Sequence, residues 1–217
     1  MSRDRTLARI IECGIVAVVR AETSEPLVKV AKALAEGGVT AIEVTFTVPG
    51  AIDVIRQVRQ EIGDSIALGA GTVLDPETAR AAILAGAEYI VAPIVNHEVI
   101  RLCRRYDKPV MPGAFTPTEV LSAWEAGADI VKVFPADVGG PAYLKALRAP
   151  LPQVRMMPTG GVDLSTAENF LKAGACCLGV GGSLVEPKAV AAGDFARIRD
   201  LAAKFCAIVR QHRTSSP

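Results

Sequence analysis

The chain has 217 residues and a mass of 22.7 kDa, which is the size of one domain or of one closed barrel. Its 24 Lys and Arg residues nearly balance its 23 Asp and Glu residues, which argues against a polybasic nucleic-acid binder. Hydrophobic residues make up 50% of the chain, so it can bury a core and is not disordered. No uncharged apolar run approaches the ~20 residues of a membrane helix, and the N-terminus shows no signal-peptide pattern. We therefore expect a single domain over residues 1–217 with neither nucleic acid nor membrane as a partner.

The cysteines and histidines do not form a recognisable metal or disulfide pattern. Five cysteines are an odd number, no two are spaced as Cys-x-x-Cys, and only His97 and His212 are present. We interpret all five cysteines as small buried hydrophobic residues in a reducing cytoplasm. The prediction is a cytoplasmic protein with no metal site.

Eight short apolar runs alternate with helical patterns along the whole chain. The runs are continuous rather than alternating, which is typical of parallel strands covered on both faces. They are Ile15–Val19, Ala41–Phe46, Ile66–Ala70, Tyr89–Ala92, Pro109–Met111, Ile130–Phe134, Val154–Met157 and Cys176–Val180. A short extra helix around Leu7 and Ile10 is expected before the first run.

The segments between the runs carry helix start signals. Asp75 and Asn96 are expected to cap helices, and the spacing of a capping box occurs at Thr116 and again at Ser165. Trp124, on the helix after the fifth run, is interpreted as a packing residue.

A weak internal repeat supports this count of eight strands. Gly38, Gly86, Gly127 and Gly174 recur at similar intervals, and each is followed by a strand. Four copies of a strand–helix–strand–helix unit predict an α/β fold of the TIM (β/α)8 barrel type. The alternative is a doubly wound open sheet, which favours a Gly-x-Gly-x-x-Gly turn after the first strand. The sequence has Arg20-Ala21-Glu22 there instead.

Two charged residues lie inside strands, near the ends where the active sites of such barrels lie. Glu43 is on the second strand and Lys132 on the sixth, so they should face each other across the barrel mouth. Burial lowers the pKa of a lysine, and the neutral amine can form an imine with a ketone. Glu43 could then transfer protons. The alternative interpretation is a buried ion pair that only fills the barrel.

Glycine pairs follow the last two strands, where such barrels often bind phosphate through backbone amides. Thr159-Gly160-Gly161 follows the seventh strand and Gly181-Gly182-Ser183 the eighth. Tight turns are the alternative interpretation. Arg20 is either a ligand of a carboxylate or phosphate or an exposed surface residue, whereas Thr72 and Pro93 are expected to shape the pocket.

Five motifs occur in an order that resembles the class I 2-keto-3-deoxy-6-phosphogluconate (KDPG) and 4-hydroxy-2-oxoglutarate aldolases. They are EVTFTVP from Glu43, GAGTV from Gly69, KVFPA from Lys132, PTGG from Pro158 and GGS from Gly181. The resemblance covers about residues 8–209. It implies a homotrimer of TIM barrels that needs neither metal nor cofactor and splits KDPG into pyruvate and glyceraldehyde 3-phosphate. It also makes cleavage of 4-hydroxy-2-oxoglutarate to pyruvate and glyoxylate a second expected reaction.

The resemblance also implies a role for each site residue. Lys132 is similar to the Schiff-base lysine and Glu43 to the general acid and base, while Thr72 corresponds to a contact with the pyruvate carboxylate. Arg20 is similar to an arginine that lines the site, Pro93 and Phe134 correspond to its walls, and Thr159 corresponds to a residue near the reacting centre. The residues that resemble the phosphate cradle are Gly160, Gly161, Gly182 and Ser183. Thr47 departs from the family pattern, because many members have an arginine there that binds the keto-acid carboxylate. A threonine hydroxyl cannot make that bidentate charged contact, so the substrate preference stays open.

Other functions remain open at this stage. A phosphate-binding barrel isomerase or synthase would not need an imine-forming lysine, and a non-catalytic small-molecule binding barrel would bind its ligand without turnover. A metal-dependent class II aldolase is the poorest alternative, because neither histidine lies at a strand end. The preferred epimer at C4 and the need for a phosphate on the substrate are also open.

Overall fold

The computed structural model describes residues 2–20 and 25–215. Within these ranges, nine short strands alternate with ten α-helices. The strands are β1 (Ile15–Val19), β2 (Ala41–Thr45), β3 (Ala67–Gly71), β4 (Tyr89–Val91), β5 (Val110–Met111), β6 (Gly113–Ala114), β7 (Val131–Val133), β8 (Met156–Pro158) and β9 (Leu178–Val180). The helices are α1 (Arg3–Cys13), α2 (Leu27–Glu36), α3 (Ala51–Ile62), α4 (Pro76–Ala85), α5 (His97–Arg105), α6 (Pro117–Glu125), α7 (Gly140–Arg148), α8 (Ala167–Lys172), α9 (Pro187–Ala192) and α10 (Phe195–Ser215).

The strands form a closed parallel barrel of eight positions. Six of them pair in the order β5-β4-β3-β2-β1-β9, and three pair in the order β6-β7-β8. Pro112 separates β5 from β6, which are two halves of the fifth barrel strand, and its carbonyl accepts from the Lys132 amide. A parallel bridge between Thr159 and Gly179 closes the last gap. The predicted TIM-type barrel is therefore confirmed, and the doubly wound alternative is wrong.

Two apolar layers hold the barrel together. The outer layer lies between the strands and the surrounding helices. The inner cluster fills the bottom of the barrel, and α1 covers it with Ile10, as the predicted N-terminal helix should. We call this inner cluster the barrel floor, and it comprises Ile10, Val16, Ala41, Ala67, Tyr89, Val91, Met111, Ile130, Met157 and Cys177.

Three of the four predicted helix starts are confirmed. Asp75 accepts a hydrogen bond from the Thr78 amide at 2.6 Å, and Asn96 caps α5. Thr116 and Glu119 form the capping box of α6. The box predicted at Ser165 is wrong, since the Asp163 carboxylate instead accepts from the Ser165 and Thr166 amides. The Ser165 hydroxyl itself donates to the Asp163 carboxylate at 2.6 Å, so it does not cap the helix.

Two packing expectations are also wrong. Trp124 is 41% exposed, because its position on α6 faces away from the barrel. Cys13 and Cys176 are partly exposed, because they lie at the edge of the barrel floor rather than within it. Among the described residues, none of the helices is long and apolar enough to cross a membrane.

Candidate active site

Glu43 and Lys132 both point into the upper half of the barrel. Successive side chains of a strand alternate between its faces, so Glu43 lies on the same face as Ala41 of the floor, and Lys132 on the same face as Ile130. Neighbouring glycines leave the space that these long side chains need. A methyl group at Gly71 would lie 2.5 Å from Oε1 of Glu43.

Both side chains are almost completely withdrawn from solvent. Glu43 is 1% exposed and Lys132 is 2% exposed. Among the described residues, neither carboxylate oxygen of Glu43 has a hydrogen-bond partner. A buried and unsatisfied carboxylate is costly, so this part of the barrel is not optimised for stability.

Burial shifts the pKa of both groups toward their neutral forms. Desolvation raises the pKa of Glu43, although the positive charges of Lys132 and Arg20 oppose that shift. Desolvation also lowers the pKa of Lys132, with Arg20 adding to the shift and Glu43 opposing it. The arrangement therefore favours a neutral amine beside a protonated carboxylic acid, which is a nucleophile beside a proton donor.

A cavity of about 490 Å³ opens at the barrel mouth. Seven of the residues predicted from the sequence line it, namely Arg20, Phe134, Thr159, Gly160, Gly161, Gly182 and Ser183. The Phe134 ring connects this cavity to the charged pair, because Nζ of Lys132 lies 4.9 Å from the centre of the ring. The structure thus brings the two predicted glycine turns, the arginine and the aromatic side chain together.

The glycine turn after β8 adopts a backbone that other residues avoid. Gly160 and Gly161 have φ angles of 100° and 65°, in the region where a side chain is strained. A methyl group at Gly161 would also lie 2.7 Å from Cβ of Asp137. Beside this turn, the buried hydroxyl of Thr159 has no partner among the described residues and lies against Gly179. The backbone conformation and the contact with Asp137 both require glycine in this turn, and the two glycines line the cavity without side chains.

Thr72 and Pro93 lie outside the lining of this cavity. Thr72 follows β3 and is partly buried, with a φ angle of 60°. Pro93 packs on the strand next to Lys132, since a methyl group at Gly113 would lie 2.3 Å from the Pro93 carbonyl. Thr47 is exposed, and its hydroxyl is hydrogen bonded to that of Thr45 at 2.7 Å.

Several residues at or near the cavity were not predicted from the sequence, among them Val18, Asp137 and Asp163. Val18 lines it and pairs with Glu43, and strand alternation from Arg20 could have identified it. Asp163 also lines it, and its position two residues before Ser165 was a usable signal for a turn. Asp137 packs beneath Gly161, and no local sequence pattern predicts that contact. In the part of the chain that the structure describes, no three His, Cys, Asp or Glu residues are grouped so that they could hold a metal ion.

Comparisons with known proteins point to one family. A family model described as KDPG and KHG aldolase matches residues 7–201. The chain is 40% identical to a 2-dehydro-3-deoxy-phosphogluconate aldolase of Treponema pallidum over 90% of this chain and 93% of that protein. A native KDPGal structure is similar with a TM-score of 0.86 and 33% identity, over 92% of this chain and 96% of that one. A KDPG aldolase from Legionella pneumophila, with pyruvate captured as a covalent carbinolamine, is similar with a TM-score of 0.85 and 28% identity, over 91% and 96% of the two chains.

Proposed function

Because the chain belongs to the KDPG and KHG aldolase family, we propose that it is a class I aldolase whose imine forms on Lys132. Its reaction is the cleavage of KDPG to pyruvate and glyceraldehyde 3-phosphate, which makes it a carbon–carbon lyase. The observation that carries the assignment of residues is the buried pair of Lys132 and Glu43 beneath the cavity. A lysine with a lowered pKa and a carboxyl with a raised one are suited to this chemistry.

The first step is attack of the neutral Lys132 amine on the C2 ketone of the substrate. Glu43 protonates the ketone oxygen as the tetrahedral carbinolamine forms and takes back a proton from its positively charged nitrogen. It then protonates the carbinolamine hydroxyl so that water can leave. The product of this step is a protonated imine. Its positive nitrogen is the electron sink for the next step.

The second step breaks the bond between C3 and C4. Glu43, now ionised, removes the proton of the C4 hydroxyl, and the electrons of the C3–C4 bond move toward the imine nitrogen. Glyceraldehyde 3-phosphate leaves as an aldehyde, and an enamine of pyruvate stays on Lys132. Protonation at C3 and hydrolysis of the imine then release pyruvate and restore the amine.

The cavity supplies a binding site for the rest of the substrate. Gly160, Gly161, Gly182 and Ser183 surround a space that suits a phosphate group, and glycine backbone can approach an anion closely. Arg20 adds positive charge at the same cavity. We assign the pyruvate end to the region of Lys132, Thr72 and Pro93, with Phe134 and Thr159 between the two ends.

The family assignment also supports several finer proposals. We assign KDPG as the preferred substrate because the relative at 40% identity is named for it. The similar KDPGal structure identifies the C4 epimer of KDPG as the competing substrate to assay. We further propose cleavage of 4-hydroxy-2-oxoglutarate, one barrel domain, a homotrimer and a cytoplasmic location. Five free cysteines are consistent with that location.

The test is the rate of pyruvate release from KDPG by two matched lysine variants. Lys132→Met keeps the volume of the buried side chain and removes the amine, so kcat should fall by about a thousandfold or more. Lys145→Met is the control, because Lys145 is exposed on α7, and its rate should match the wild-type rate. Near-normal cleavage by a folded Lys132→Met variant would show that the imine does not form there.

A further inference from the structure

Two adjacent thiols meet at the bottom of the barrel, at the opposite end from the active site. The Sγ atoms of Cys176 and Cys177 are 3.8 Å apart. Side chains of neighbouring residues in a regular strand point to opposite faces, but the backbone bends at both cysteines before β9 begins. This bend brings the two sulfur atoms together.

The two thiols have different surroundings. Cys177 belongs to the barrel floor and is fully buried, whereas Cys176 is partly exposed. The hydrogen bond from Cys177 lowers the pKa of Cys176, and the positive charge of Arg155 acts in the same direction. The same hydrogen bond and burial raise the pKa of Cys177. Cys176 is therefore the more acidic and more exposed of the two thiols, and Cys177 is the buried thiol in contact with it.

The other cysteines are poorly placed to react. Burial raises the pKa of Cys103 to about 12 and that of Cys206 to about 11. Cys13 lies near the pair, but its sulfur is hydrogen bonded to the Ile15 carbonyl and the Thr40 amide. The contact between Cys176 and Cys177 is thus the best site for oxidation among the cysteines of the chain.

We propose that Cys176 and Cys177 form a redox-active dithiol that hydrogen peroxide oxidises to a disulfide between adjacent residues. The Cys176 thiolate attacks one peroxide oxygen, the O–O bond breaks, and hydroxide leaves while Cys176 becomes a sulfenic acid. The Cys177 sulfur then attacks the Cys176 sulfur, and the sulfenic oxygen leaves as water with the thiol proton. The dithiol loses two electrons and the peroxide gains them.

The bond would form at the seam where the barrel closes. The sulfur atoms must approach from 3.8 Å to the ~2.05 Å of a disulfide. The Cys176 amide donates to the Met156 carbonyl of β8, and β9 begins at Leu178, directly after the pair. This modification is independent of the proposed aldolase chemistry, because neither cysteine lies at the barrel mouth.

Peptide mapping after treatment of the folded protein with hydrogen peroxide tests the proposal. Trypsin releases residues 173–188 as a peptide that contains both cysteines of the pair, while Cys13, Cys103 and Cys206 fall in three other peptides. After peroxide and a thiol-alkylating reagent, the peptide 173–188 should be unalkylated and lighter than its reduced form by the mass of two hydrogen atoms. Treatment with a reductant should restore both alkylation sites. A peptide that stays fully alkylated, or that is crosslinked to the peptide of Cys13, would overturn the proposal.

A variant that removes the second thiol separates the two steps. In Cys177→Ser, the sulfenic acid on Cys176 has no resolving partner, so dimedone should label Cys176 after peroxide treatment. The wild-type protein should show much less of this label, because Cys177 consumes the sulfenic acid. Equal labelling of Cys176 in both proteins would contradict the proposal, and the wild-type peptide map remains decisive if the variant does not fold.

Discussion

The upper and lower halves of the barrel interior carry opposite chemistry on the same strands. On β2, Ala41 lies in the floor and Glu43 lies two residues above it. Ile130 directly precedes β7 and lies in the floor, and Lys132 on β7 lies two residues above it. The floor is apolar apart from the Tyr89 hydroxyl, whereas the upper half holds the buried carboxyl of Glu43 and the amine of Lys132. Among the described residues, neither the Tyr89 hydroxyl nor the Glu43 carboxyl has a hydrogen-bond partner.

This difference shows how the fold separates stability from chemistry. The floor contributes to the free energy of unfolding through burial of apolar surface. The upper half contributes groups whose burial is unfavourable but whose shifted pKa values are useful for catalysis. A substitution in the floor should therefore affect mainly stability, and a substitution in the upper half should affect mainly activity.

The largest effect is expected for Glu43→Gln in the upper half. The amide keeps the shape of the side chain but cannot transfer protons, so kcat for KDPG cleavage should fall by about 10²- to 10⁴-fold. The variant should still form some imine with pyruvate, because Lys132 is intact. Steady-state kinetics together with imine trapping measures both properties, and a variant with unchanged kcat would show that the proton carrier is another group.

The floor residue on the same strand as Lys132 should behave in the opposite way. Ile130→Ala removes a fully packed side chain and should lower the free energy of unfolding by about 2–5 kcal/mol. At a temperature where the variant is folded, its imine with pyruvate should still form. Urea denaturation and trapping on the same sample check this, and a stable variant without imine formation would mean that the floor and the upper half are not separate.

The pH dependence of stability is a smaller effect and has opposite signs for the two charged residues. In Lys132→Met, only the raised pKa of Glu43 remains, so the folded protein binds more protons than the unfolded chain above about pH 4.5 and loses stability as the pH rises through the raised pKa. In Glu43→Gln, only the lowered pKa of Lys132 remains, so the folded protein binds fewer protons below the unfolded pKa of 10.5 and gains stability as the pH rises toward it.

Urea midpoints of both variants across pH measure this contrast. Each slope is at most about 1.4 kcal/mol per pH unit. The remaining titratable groups are common to both variants, so the difference between the two curves isolates the buried pair. Parallel curves would contradict the account of how burial shifts these two groups.

The sequence was sufficient for the features that depend on local periodicity. Strand alternation and the count of βα units predicted the barrel and the inward positions of Glu43 and Lys132, and the glycine pairs predicted the turns that line the cavity. Features that depend on contacts between residues far apart in the sequence could not be predicted from it. The exposure of Trp124 depends on the outer face of α6, and the contact of Asp137 with Gly161 joins two different loops.

The division of the fifth barrel strand at Pro112 depends partly on local sequence and partly on distant contacts. A proline lacks the amide that a strand needs, so an interruption is expected at that residue. The sequence alone did not indicate that the chain would return to the barrel at Gly113 and pair with Lys132. Tertiary pairing, rather than local preference, determines that return.

The most direct test of Lys132 as the imine-forming residue is borohydride reduction in the presence of pyruvate, followed by peptide mass spectrometry. Borohydride reduces an imine to a stable secondary amine, so the adduct records which lysine formed it. The account predicts a pyruvate adduct on the peptide that contains Lys132, and none on that peptide in Lys132→Met. A folded wild-type protein without an adduct, or with its adduct on another lysine, would contradict the account.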